Sequence, residues 1–134
     1  MRGLDTNVLV RFLLRDDARQ AEAARDVIKR AIGAGDPVVV SLLALLETEW
    51  VLRSSIGLGK NGIIEVFTEL LEAGDVAFEY ETLVEQALSA FEHSNADFAD
   101  CLMTAHYQRL GCTSMLTFDA KAARLAGAEL LVAR

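Results

Sequence analysis

Acidic residues at four separate places are the side chains of this chain best suited to chemistry. Each ends an apolar segment or interrupts an apolar helical pattern; they are Asp5, Glu47, Glu49, Asp97, Asp100 and Asp119. Carboxylates grouped in a shielded cleft repel one another, and a divalent cation relieves that repulsion. Oxygen ligands without His or Cys are typical of Mg²⁺ or Mn²⁺. Such an ion can clamp a phosphate and activate a bound water.

The cysteine and histidine residues argue against a zinc site. Cys101 and Cys112 form no CxxC pair, and His93 and His106 lack the spacing of metal ligands. Free cysteine is usually buried, so we predict Cys101 as a small core residue on a helix.

Composition bounds the function further. The chain has 134 residues, 52% of them hydrophobic, which predicts one domain over residues 1–134 with its own core. The net charge is −7, whereas proteins that hold nucleic acid by general phosphate attraction are usually basic. Without an apolar run of membrane length or an export signal, we expect a cytoplasmic protein with no membrane partner.

Short strands alternate with amphipathic helices along the chain. Predicted strands are 2–5, 37–40, 76–80, 113–117 and a weak one at 130–132. Predicted helices are 8–14, 16–34, 42–55, 63–73, 82–93, 95–110 and a short 119–125. Thr6 or Asn7 is predicted to cap the first helix, and Thr82 the fifth. The alternation predicts a parallel sheet with helices on both faces, whose functional groups gather beyond the carboxyl ends of the strands.

This alternation places two of the acids at the same sheet edge. Asp5 ends the first predicted strand, and Asp119 follows the 113–117 strand by two residues. Each is equally well explained as a helix cap, a role that Asp often has. Both interpretations stay open.

Asp97 and Asp100 are three residues apart, hence on one helix face. The helix dipole favours acids in a first turn and explains Asp97. Asp100 is predicted in the second turn beside apolar residues, where a carboxylate is partly buried and needs a partner.

Glu47 and Glu49 share the leucine-rich helix 42–55. Arg53, four residues after Glu49, offers it a helical ion pair and leaves Glu47 unpaired. Helical periodicity alone does not choose which of the two is functional. Trp50 and the six Phe are predicted as core.

Four segments in this order resemble the motifs of a known family. They are Leu4-Asp5-Thr6-Asn7-Val8-Leu9, Leu45-Leu46-Glu47-Thr48-Glu49-Trp50-Val51-Leu52, Ala96-Asp97-Phe98-Ala99-Asp100-Cys101-Leu102 and Thr117-Phe118-Asp119-Ala120-Lys121. The chain resembles the PIN-domain family, and specifically VapC-type toxins of bacterial type II toxin–antitoxin systems. The second motif's register favours Glu47.

The resemblance implies a three-layer α/β/α domain with a central, mainly parallel sheet of four to five strands. It implies a Mg²⁺-dependent endoribonuclease, with Mn²⁺ as a possible substitute, that forms a homodimer and is bound by a cognate antitoxin. By position it implies catalytic and metal-binding carboxylates, Asp5, Glu47, Asp100 and Asp119, with Asp97 as a helper and Asn7 and Thr117 as hydrogen-bonding supports. Ala120 leaves no second acid beside Asp119, so sites for one and for two metal ions stay open.

Two other functions compete with RNA cleavage. An aspartate-nucleophile phosphatase needs an acid two residues after Asp5, where this chain has Asn7. A metal-binding PIN relative that only pairs with a partner stays open. The aliphatic helices 8–14, 18–32 and 63–71 are expected either to meet another subunit or an antitoxin helix, or to form internal core. Basic residues near the motifs either contact phosphates or are ordinary solvated charges; they are Arg11, Arg15, Lys121 and Arg124.

Overall fold

A computed structural model describes all residues from 1 to 134. The chain divides into two compact units, Met1–Glu79 and Tyr80–Arg134. None of its helices is both long enough and apolar enough to span a bilayer.

The first unit carries four helices around a small parallel ladder. Its elements are α1 (Thr6–Leu14), α2 (Ala18–Gly33), β1 (Val39–Val40), α3 (Leu42–Ser54), α4 (Lys60–Ala73) and β2 (Ala77–Phe78). β1 pairs in parallel with β2, and on its other edge Val39 bridges to Gly3. The predicted strand at 2–5 is therefore a single bridge, which brings the chain to the start of α1.

Short polar side chains set where the helices of this unit begin. Asp5 accepts a hydrogen bond from the backbone N of Val8 at 3.0 Å and caps α1. Asp17 caps α2 and Ser41 caps α3 in the same way, as their residue types predict. The prediction of Thr6 or Asn7 as the first cap is wrong, because the helix already includes both.

Aliphatic residues at helical spacing fill the core of the first unit. α1 packs against α2 and α3, and α3 packs against α4. The side chains buried most completely include Leu9, Leu45, Leu52, Ile63 and Phe67. Burying each contributes about 1.5–3 kcal/mol, so this packing, rather than the short ladder, stabilises the unit.

The second unit pairs two helices with two short strands. It contains α5 (Glu81–Glu92), α6 (Phe98–Arg109), β3 (Met115–Thr117), a 3-10 turn at Ala122–Arg124 and β4 (Ala128–Leu130). β3 and β4 are parallel, and α5 packs against α6. The rings of Phe91 and Phe98 meet edge to face with centroids 5.6 Å apart.

Tyr80 starts α5 from the left-handed region, with φ 53° and no side-chain capping bond. The guanidinium of Arg109 lies 3.7 Å above its ring centroid, a cation–π contact that fixes the tyrosine. The prediction that Thr82 caps this helix is wrong: the chain turns at Tyr80, and Thr82 lies inside the first turn.

The strands pair as two separate two-stranded parallel sheets, β1 with β2 and β3 with β4. Hydrogen bonding joins two residues per strand in the first pair and three in the second. The α/β class with parallel pairing is confirmed, and each hydrogen-bonded ladder holds two strands. The observed strands are shorter than the predicted ones, because the outer residues of each predicted strand form no ladder pairs.

Two aromatic residues predicted as core are exposed: Trp50 at 55% and Phe118 at 71%. Of the two alternatives for the aliphatic helices, internal core accounts for most of their large apolar residues, and Ile32 is the one large aliphatic side chain they expose. The apolar content of a segment predicts how much of it is buried in total. Which individual side chains stay exposed depends on how the elements pack.

Candidate functional site

Asp5 lies exposed at the start of α1, at the edge of a cleft between α1 and α2. Its Oδ1 accepts the capping hydrogen bond from Val8, so the carboxylate is held at the helix N-terminus. Both interpretations of Asp5 are therefore compatible: a cap, and an acid facing an open cleft.

The cleft has a volume of about 370 Å³ and a mixed lining. α1 contributes its N-cap and three further residues, and α2 contributes three; they are Asp5, Asn7, Val8, Arg11, Gln20, Ala23 and Ala24. Asn7 is exposed there. Sequence analysis missed Gln20, Ala23 and Ala24, although their i, i+3, i+4 spacing on α2 marks one helix face.

Arg11 is fixed across this cleft rather than simply solvated. Its Nε donates to Oε1 of Gln20 at 2.7 Å, and its Nη1 contacts the carboxylate of Asp16 at 3.2 Å. The guanidinium is thus positioned in advance on the same cleft as Asp5.

The two glutamates of α3 differ in environment. Glu49 is 2% exposed, and its Oε2 lies 3.1 Å from Nε of Arg53, which confirms the predicted ion pair. Glu47 is exposed, four residues after Leu43 and three before Trp50, which are exposed on the same face. Glu49 thus has a structural partner, whereas Glu47 faces solvent.

The second unit brings three of the predicted carboxylates together. Burial is the largest influence that raises the pKa of Asp100 above its usual value, followed by the negative charges of Asp97 and Asp119. Asp97 is the N-cap residue of α6 without a capping hydrogen bond, and Asp100 lies in the first turn. The prediction of a second-turn Asp100 was wrong because α6 begins at Phe98.

Asp119 is held in a tight turn after β3. Its Oδ1 accepts from the backbone N of Lys121 at 2.7 Å and of Ala122 at 3.3 Å. Its own backbone N donates to Oγ1 of Thr117 at 3.0 Å. Its orientation is therefore set by local backbone bonds and by Thr117.

Thr104 is a positioning residue that sequence analysis missed. Its buried hydroxyl donates to the backbone O of Asp100 at 2.6 Å and contacts the sulfur of Met115 at 3.6 Å. It therefore links the first turn of α6 to β3. A threonine four residues after a candidate acid is the signal that could have revealed it.

The donor chemistry of these residues suits a hard divalent cation. The three acids of the second unit supply oxygen only. Burial and then the like charges of Asp97 and Asp119 raise the pKa of Asp100, and a bound cation lowers a carboxyl pKa. In neither unit do three or more His, Cys, Asp or Glu side chains already stand grouped as metal ligands. Only the donor type, carboxylate oxygen, matches what Mg²⁺ or Mn²⁺ prefers.

Comparison with known proteins identifies one matching family. The family model of the PIN domain matches residues 4–128. Among curated proteins, no sequence matches the chain significantly. Because the match covers nearly the whole chain, including all the candidate acids, the chain belongs to the PIN-domain family.

Proposed function

We propose that this chain is a Mg²⁺-dependent endoribonuclease that hydrolyses phosphodiester bonds in RNA. PIN domains are generally nucleases and often depend on divalent metals. The observation that carries the proposal is the group of three carboxylates in the second unit, where the backbone N of Lys121 holds Oδ1 of Asp119 at 2.7 Å. Burial first, and then the charges of Asp97 and Asp119, raise the pKa of Asp100 in this group. Such mutual repulsion opposes folding and is typical of a functional site.

Each residue has a proposed role in this reaction. Asp5, Asp100 and Asp119 would hold the metal, and Glu47 would ligate it through water or orient the attacking water. When bound, Mg²⁺ or Mn²⁺ supplies an acidified water and neutralises charge on the phosphate. Asp97 assists Asp100, while Asn7 and Thr117 support the acids by hydrogen bonds. Of these two supports, Thr117 accepts a hydrogen bond from the backbone N of Asp119 at 3.0 Å.

The proposed fold is one PIN-like domain over residues 1–134, a three-layer α/β/α arrangement with a mainly parallel sheet of four to five strands. Support comes from the family match, which runs from residue 4 to residue 128 and so includes segments of both units.

The proposed biological role is that of a VapC-type toxin in the cytoplasm, paired with a cognate antitoxin and assembled as a homodimer. Its support is the resemblance of the four acidic motifs. The exposed Leu43 and Trp50 on α3 add an apolar surface of the kind that protein partners cover.

The proposal is tested by RNA cleavage with a matched pair of cap variants. Asp5→Asn and Asp17→Asn each replace a capping aspartate by another good cap. We expect wild type and Asp17→Asn to cut RNA with Mg²⁺ or Mn²⁺ and not with chelator, and Asp5→Asn to be inactive while folded. Undiminished cutting by Asp5→Asn contradicts the proposal.

The competing functions predict other results in the same experiment. A folded wild type that binds Mn²⁺ and cuts no RNA supports the binding-only PIN relative. Turnover of a simple phosphomonoester without RNA cleavage supports a phosphatase.

A further inference from the structure

The cleft between α1 and α2, named here the α1–α2 cleft, exists because one side of it carries small residues. Ala23 and Ala24 of α2 line it together with Val8 of α1. Two alanines at this helix–helix contact leave a volume of about 370 Å³, within the size range of small-ligand sites. We call these three apolar residues the floor of the cleft.

The rim of the cleft is polar and oriented. Gln20 must turn its oxygen toward Arg11, because a guanidinium only donates hydrogen bonds. The Nε2 amide of Gln20 and the Nη2 of Arg11 then remain as donors without a protein acceptor, and Asn7 adds a third amide group. Three donor groups thus converge on an apolar floor beside Asp5.

The charge of Arg11 remains usable by a ligand. Its ion pair with Asp16 is at the surface, with 33% of the Arg11 side chain and 47% of the Asp16 side chain exposed. Exposed pairs of this kind are weak, and a guanidinium has five donors. A phosphate can therefore share Arg11 with Asp16.

We propose that the α1–α2 cleft binds one unpaired nucleotide of the RNA next to the cleaved phosphodiester. The base lies on Ala23 and Ala24, its acceptor edge meets the amides of Gln20 and Asn7, and Arg11 holds a phosphate. The inference rests on the proposed function, because it is Asp5 that ties this cleft to the cleaved bond. The nucleotide is an unpaired one, since bases are read on their edges when unpaired.

An antitoxin segment is the competing occupant, and the chemistry favours the nucleotide. A peptide side chain uses the apolar floor or the guanidinium, whereas a nucleotide uses the floor, the amides and Arg11 together.

The test fills the cleft without touching a polar residue. Ala23→Leu places a larger side chain on the floor, and Ala18→Leu is the control on an exposed position of the same helix outside the cleft. The probes are the four ribonucleoside 5′-monophosphates, titrated without metal while NMR follows the side-chain amides of Gln20 and Asn7. Unfolding temperature checks both variants.

We expect at least one nucleotide to shift both amide signals in the wild type and in Ala18→Leu. The affinity should fall at least tenfold in Ala23→Leu and in Arg11→Gln. Equal binding by Ala23→Leu, or amides that respond only to a peptide and to no nucleotide, overturns the inference.

The nucleotide titration and the RNA cleavage assay test the subsite and the proposed function independently. Nucleotide shifts in a protein that never cuts RNA remove the proposed function and leave the subsite. Metal-dependent cutting of RNA without nucleotide shifts removes the subsite and leaves the nuclease.

Discussion

Asp100 is the residue where structure adds most to the candidate site. Its raised pKa follows first from burial and then from Asp97 and Asp119. An acid with a raised pKa in the folded state stabilises the fold fully below its ordinary pKa, and that stability is lost as pH rises through the folded pKa. The charged Asp100 therefore lowers the stability of the wild type at neutral pH.

We predict that Asp100→Asn is more stable than the wild type at pH 7. The gain is about 0.2–0.5 kcal/mol for each like-charged pair removed. The difference should vanish as pH falls below the ordinary range of Asp. Urea unfolding at several pH values measures it, with the exposed Asp26→Asn as control. A gain that persists unchanged at low pH contradicts the charge explanation.

Metal binding should show the opposite dependence on Asp100. Mn²⁺ at about a hundred times its dissociation constant stabilises the folded wild type by about 2.7 kcal/mol if unfolded chain does not bind it. We expect a smaller thermal shift for Asp100→Asn, and a shift that weakens at acidic pH because Asp100 must lose its proton to bind. Thermal unfolding with Mg²⁺, Mn²⁺ and chelator checks this. Equal shifts in both proteins would remove Asp100 from the ligand set.

The glutamates of α3 should separate stability from activity. Arg53→Met leaves the buried Glu49 without the Nε donor at 3.1 Å and should cost about 1–3 kcal/mol of unfolding free energy. Glu47→Gln changes an exposed side chain and should lower RNA cleavage with little change in stability. The converse result, a stable inactive Glu49→Gln and an active Glu47→Gln, would reassign the functional acid.

At the scale of elements, the helix starts connect stability to the site. Asp5→Ala and Asp17→Ala each remove one capping bond of 3.0 Å, so each should cost about 1 kcal/mol. Only Asp5→Ala should also lose cleavage. Denaturant unfolding beside the cleavage assay measures both effects, and an equal loss of activity in the two variants would mean that the cap alone matters.

Helix ends were predictable where a side chain makes the cap and less so elsewhere. Asp17 and Ser41 are residue types that favour caps, and both accept the capping hydrogen bond. α4 begins at Lys60, three residues before the predicted start, because Gly59 begins it without a side-chain bond. α5 begins after a left-handed Tyr80 held by Arg109, a contact between residues 29 positions apart. The predicted start at 82 is one residue off, but local pattern carries no signal for the contact that holds Tyr80.

At the scale of the whole molecule, the proposed homodimer has a direct reporter, because Trp50 is the one tryptophan of the chain. Its exposure of 55%, with Leu43 at 79% on the same face, leaves apolar area for a second copy. We predict that dilution shifts the Trp50 emission to longer wavelength as the dimer dissociates, and that Leu43→Glu produces that shift at all concentrations. Emission independent of concentration, with a monomeric mass by light scattering, contradicts a dimer through α3.

The sequence by itself determined properties that depend on neighbouring residues or on the sum over the whole chain. Net charge, the order of the acidic motifs, the i, i+4 pair of Glu49 and Arg53 and the burial of Cys101 follow from composition and helical spacing. Family membership follows because the motifs span nearly the whole chain.

Tertiary structure alone decided which distant groups meet. Asp119 acts on Asp100 across 19 positions, Thr104 joins α6 to β3, and the α1–α2 cleft is formed by residues of two helices. It also left Trp50 and Phe118 outside the core. Such contacts depend on how elements pack, and hydrophobic burial, which drives packing, is not directional.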